Sequence, residues 1–136
     1  MDKIYSKIEN KLIHMVYRSE DFSNSRTELV NETQFIQCAY LKLEKGKTFK
    51  PHRHIWKSPN YDKVIAQESW VVINGSVKAL FFDTDGTFLE SHILNAGDAS
   101  FTLEGGHTYE ILEDDTLVYE YKTGPYEGQE MDKEFF

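Results

Sequence analysis

Cysteine is nearly absent from this sequence. Cys38 is the only one in 136 residues, so no intrachain disulfide is possible. It lies in the apolar run Phe35-Ile36-Gln37-Cys38-Ala39-Tyr40 with no electropositive surroundings in view. A buried structural thiol is the expectation, not a nucleophile. No apolar stretch approaches membrane-spanning length, and Met1 to Ser6 lack the apolar region of a signal peptide. Cytoplasmic residence without a membrane partner is therefore expected. Basic charge is also short, with 15 Lys and Arg against 23 Asp and Glu and a net charge of −8. No Lys/Arg cluster is present to neutralise a phosphate backbone, which argues against nucleic acid as a partner. The same excess opposes docking on an anionic membrane. It also penalises a multiply anionic substrate, unless a bound cation offsets it.

Amphipathic segments of helical length are missing too. Short strand-like runs separated by turn residues fill most of the chain. They are Leu12 to Tyr17, Gln34 to Leu43, Thr48 to His54, Glu68 to Ile73, Ser76 to Phe82, Phe88 to Leu94, Ala99 to Leu103, His107 to Leu112 and Thr116 to Tyr121. Aromatics make up 14% of the residues, and β-branched side chains are frequent, a bias toward strands. Asn74-Gly75 and Asp85-Gly86 between apolar runs are hairpin signals. The regular spacing of turns predicts an all-β sandwich or barrel. One domain over residues 1–136 is expected. Residues 1–33 would form an N-terminal extension that contains the first strand, with a helical turn or a loop over 18–33. Residues 123–136 would be a tail anchored by Tyr126, Phe135 and Phe136.

Four side chains point to chemistry. In Pro51-His52-Arg53-His54, a strand would aim His52 and His54 the same way, because strand side chains alternate. Glu68 opens the next apolar strand and shares a face with Trp70 and Val72. A carboxylate on such a face is expensive to bury unpaired. His107 follows the pair Gly105-Gly106. Three imidazoles and a carboxylate suit Fe, Mn, Ni, Zn or Cu, and leave coordination positions open. The competing readings are ordinary: a partly exposed histidine pair, a Glu68 salt bridge to Arg53 or a lysine, and a turn-capping His107. His14 and His92 stand alone in apolar runs and read as core or edge residues.

Gly46, His52, His54, Glu68 and Gly75 resemble the first cupin motif, with five residues between Gly46 and His52 and six between Glu68 and Gly75. The departure is the gap of thirteen residues between His54 and Glu68, where the family usually has three or four. Gly97 to His107 resembles the second motif, with Leu103 in place of the usual proline and Ile111 in place of the usual asparagine. Phe81 to Gly86 and Tyr119 to Tyr126, followed by Asp132 to Phe135, are similar to the WbuC-like small cupin metalloproteins.

The resemblance implies a cupin double-stranded β-helix, or jelly-roll barrel, with His52, His54, Glu68 and His107 on one divalent metal ion. It also implies a homodimer and a link to bacterial surface-polysaccharide metabolism. The expected ligand is a small polar, carbohydrate-related molecule, with Gln67, Trp70, Tyr109, Trp56 and Tyr61 as candidate contacts. Whether the protein is an enzyme stays open at this point. The alternatives are a metal-free sugar-nucleotide ketoisomerase or epimerase, with His52 or His54 as general base, and a non-enzymatic metal-dependent binding module.

Overall fold

The computed structural model describes residues 1–22, 25–58 and 63–136. Its strands are β1 (Asp2–Tyr5), β2 (Leu12–Tyr17), β3 (Arg26–Glu28), β4 (Ala39–Leu41), β5 (Glu68–Asn74), β6 (Ser76–Phe82), β7 (Phe88–Asn95), β8 (Ala99–Thr102), β9 (Gly106–Ile111) and β10 (Leu117–Lys122). A 3-10 turn occupies Ser19–Asp21, and one short helix, α1, spans Gln129–Asp132. Every strand pair is antiparallel.

Sheet order is β1-β2-β8-β5-β10 in a five-stranded sheet and β7-β6-β9 in a three-stranded one, with β3 and β4 paired apart. The two larger sheets pack face to face. Ile4, Val16 and Val72 of the first meet Val77, Ala79, Phe81 and Leu94 of the second in one buried core. The outer face of the five-stranded sheet is also apolar around β2 and β8. There Met15, Tyr17, Phe101 and Leu103 are covered by Leu29, Val30 and Ile36, with Phe22, Cys38 and Tyr40 alongside. Apolar surface on both faces explains why β2 reads as a nearly continuous hydrophobic run. The result is an all-β sandwich with a third, partial layer. Among the described residues no sheet closes on itself, so the closed barrel expected from the sequence is not formed.

From β5 onward the chain crosses between the two larger sheets at every connection except the β6–β7 hairpin. This overturns the expected hairpin at Asn74-Gly75. β5 and β6 belong to different sheets, and Gly75 is a corner with φ +78° where a Cβ would overlap the Thr116 side chain. The signal was a real demand for positive φ, but a corner makes the same demand as a hairpin. Asp85-Gly86 does close a hairpin between β6 and β7.

Two expected strands also differ. Gln34 to Leu43 shrinks to β4, and Thr48 to His54 forms no strand; residues 41–58 are exposed throughout. Pro51 removes a ladder donor, and Lys50, His52, Arg53 and His54 provide no alternating apolar face to bury. In the N-terminal third, the 3-10 turn falls within the helical turn or loop expected over 18–33, while β1 and β3 were not expected.

Candidate functional site

β5 and β9 lie in opposite sheets, and Glu68 at the start of β5 meets His107, the second residue of β9, at one end of the sandwich. Glu68 is 5% exposed. Its Oε1 lies 2.9 Å from His107 Nε2. Burial alone would raise the Glu68 pKa, but the hydrogen bond and charge of His107, with help from Lys133 and Lys122, hold it below the ordinary value. The carboxylate is thus kept ionised in a desolvated place, which explains how a strand otherwise bearing Trp and Val tolerates it.

Two residues along each strand, Trp70 stacks on Tyr109 with ring centroids 3.8 Å apart and planes 7° from parallel. Trp70 Nε1 donates to Glu120 Oε2 at 3.2 Å, and Tyr109 OH pairs with Ser100 Oγ at 2.9 Å. Burial pushes the Tyr109 phenol well above its usual range. Beyond them are Val72, Val77 and Leu94. Along the strands the facing side chains therefore pass from the Glu68–His107 pair, through an aromatic layer, to an apolar core. The period-2 alternation of β5 and β9 produces this order, because Glu68, Trp70 and Val72 share one face and His107, Tyr109 and Ile111 the facing one.

Lys122 sits directly across from Glu68 on β10 and binds Asp132 Oδ2 of α1 at 2.7 Å. The sequence reading missed Ser100, Glu120, Lys122 and Asp132. The only available signal was parity: Ser100 alternates with Phe101, and Glu120 and Lys122 alternate with Tyr119 and Tyr121. Which parity faces inward depends on the sheet pairing.

His52 and His54 sit near each other, with ring centroids 5.5 Å apart, on the exposed segment before β5. His52 Nδ1 donates to Lys50 O at 3.1 Å. The four predicted donors thus stand as two pairs. Among the described residues no group of three or more His, Cys, Asp or Glu is placed to hold a metal ion. The donor chemistry suits a divalent metal, but the arrangement does not fit one.

Gln67 is buried and already occupied. Its Oε1 accepts from Ile36 N at 2.9 Å, and its Nε2 reaches Gln34 Oε1 at 2.7 Å. It ties the outer layer to β5 and has no free group for a substrate. Trp56 is fully exposed, and Tyr61 lies outside the described residues. His14 is wholly buried, with Nδ1 3.1 Å from Thr102 Oγ1 and Nε2 2.9 Å from Phe82 O. His92 is largely buried near Asp2, Glu90 and Arg18. Cys38 is half-buried, and burial, then Glu28, raises its thiol pKa.

No helix among the described residues is long and apolar enough to cross a membrane. Compared with known proteins, the chain matches no family model, no curated protein and no solved structure.

Proposed function

We propose that this protein is a metal-binding cupin of jelly-roll topology that binds or transforms a small polar, carbohydrate-related molecule at the Glu68–His107 end of the sandwich. The observation that carries this reading is the Glu68–His107 contact. Two donors 39 residues apart, selected from the sequence as ligands of one ion, are 2.9 Å apart between the sheets. The missing half has an available seat. β9 pairs only with β6, so its other edge is open among the described residues. A strand-like segment added to an open edge satisfies its row of backbone groups. Thr48 to His54 is the segment we assign to that edge, which would set its two imidazoles beside His107. The homodimer and a place in surface-polysaccharide metabolism belong to this reading through the resemblance alone, and cytoplasmic residence through the sequence expectation.

Elemental analysis of protein purified without a polyhistidine tag tests it. About one equivalent of a divalent metal, lost both in His52→Ala/His54→Ala and in His107→Ala, is the expected result. Metal retained in both variants, or no binding of added Mn, Fe, Ni, Zn or Cu, rejects it.

The geometry favours one second reading. A histidine held by a carboxylate is oriented for proton transfer, so a metal-free isomerase or epimerase would use His107 as its base, with Glu68 orienting it. This moves the base away from His52 and His54. Activity surviving chelation but not His107→Ala would establish it.

A further inference from the structure

The tail runs from one side of the Glu68–His107 pair to the other. It begins beside Glu68, where Gln67 N donates to Thr123 Oγ1 at 2.9 Å and Thr123 N donates to Gln67 O at 3.0 Å. Lys122 Nζ then lies 4.1 Å from the centre of the Tyr126 ring and holds Asp132. The tail ends on the outer face of the three-stranded sheet, over Gly106. The Phe136 ring meets Phe82 edge-on at 5.4 Å and lies against Gly86 and Gly106. Gly106 directly precedes His107, and any side chain there would overlap the Phe136 ring.

These fastenings are few and shallow. Phe136 is 76% exposed, and α1 has no buried residue. A segment with so little buried surface opens locally at a small fraction of the global unfolding free energy. The Lys122–Asp132 pair is the better shielded clasp, with side chains 15% and 14% exposed.

We propose that residues 123–136 are a strap across the mouth of the sandwich, clasped by Lys122–Asp132 on the Glu68 side and by Phe136 on the outer face of the other sheet, that controls entry to the Glu68–His107 pair. The ligand role of that pair rests on the preceding reading; the access control does not. A small ligand enters when the strap lifts, without disturbing the sandwich.

Residue-resolved acylation of histidines by diethyl pyrocarbonate, followed by mass spectrometry, tests this. His52 and His54 are exposed internal standards, and buried His14 reports the integrity of the sandwich. In Phe136→Ala and Asp132→Asn the expected result is His107 modification at least threefold faster, with His14 still slow. An unchanged His107 rate in both variants overturns the strap. So does His14 accelerating in step with His107, because opening would then be global. A metal titration that bypasses His107 would reject the ligand reading while leaving the access measurement intact.

Discussion

Glu68 shows how one side chain is made tolerable by its neighbours. Its carboxylate is desolvated, yet its folded pKa lies below the ordinary value because His107 hydrogen-bonds the charged form. The sign follows. The ionised carboxylate contributes stability that is fully present above the ordinary carboxylate pKa and is lost as pH falls through the lowered folded value. Glu68→Gln keeps the shape and removes the charge. It should cost about 1–3 kcal/mol in urea unfolding at pH 7, the range for leaving a buried polar partner poorly satisfied. The deficit should shrink as pH falls below the ordinary carboxylate range, where the wild-type protein loses the same charge. A deficit that does not change with pH would show that the charge is irrelevant. This pair was legible in the sequence because alternation alone puts Glu68 on a Trp/Val face. Gln67 was misjudged because its partners, Ile36 and Gln34, lie on a layer that alternation within β5 does not reveal.

At the scale of elements, the strands with strong alternation or dense apolar content were legible, and those relying on a partner were not. β2 and β5 to β10 fall within a residue or two of their expected bounds. Thr48 to His54 has a strand's spacing of functional side chains but no apolar face to hold it down, so tertiary context decides its state. Asn74-Gly75 shows the converse: the backbone requirement was visible, but not whether it served a hairpin or a corner. The open β9 edge turns this into a measurement. In metal-free protein the amides of residues 48–54 should exchange with solvent almost without protection. Adding Zn or Ni should slow them at least tenfold in the wild type and leave them unprotected in His107→Ala, read by hydrogen exchange and mass spectrometry. Protection that persists in His107→Ala would separate any strand formation from the proposed ligand set.

Both faces of the five-stranded sheet are buried around β8, so the molecule has two apolar cores sharing one wall. Phe81 anchors the inner core and Phe101 the outer, at 0% and 1% exposure. Truncating either to alanine should cost about 3–5 kcal/mol. If the shared sheet couples the cores, each variant should still unfold in one transition by both fluorescence and far-UV circular dichroism. Two separated transitions in Phe101→Ala would show that the outer layer folds independently.

The whole molecule also carries two opposing responses to acid. Net charge is −8 at pH 7 and the sequence pI is about 5.1, so acidification toward pH 5 relieves self-repulsion and favours the folded state. His14 acts the other way. Burial lowers its pKa from 6.5 to about 4, only partly offset by its bond to Phe82 O. Its neutral form is the folded one, so its contribution is intact above pH 6.5 and is lost as pH falls from 6.5 toward 4. The unfolded chain takes up the proton first. At about 1.4 kcal/mol per pH unit, the drop from 6.5 to 5 removes roughly 2 kcal/mol. Repulsion among scattered surface charges is screened within about 8 Å at physiological salt, so the His14 effect should win there. Urea unfolding at 0.15 M salt should therefore show the wild type losing stability between pH 6.5 and 5. His14→Gln, weaker throughout from imperfect packing, should instead hold level or gain. An equal loss in both proteins would place the acid response elsewhere in the charge distribution.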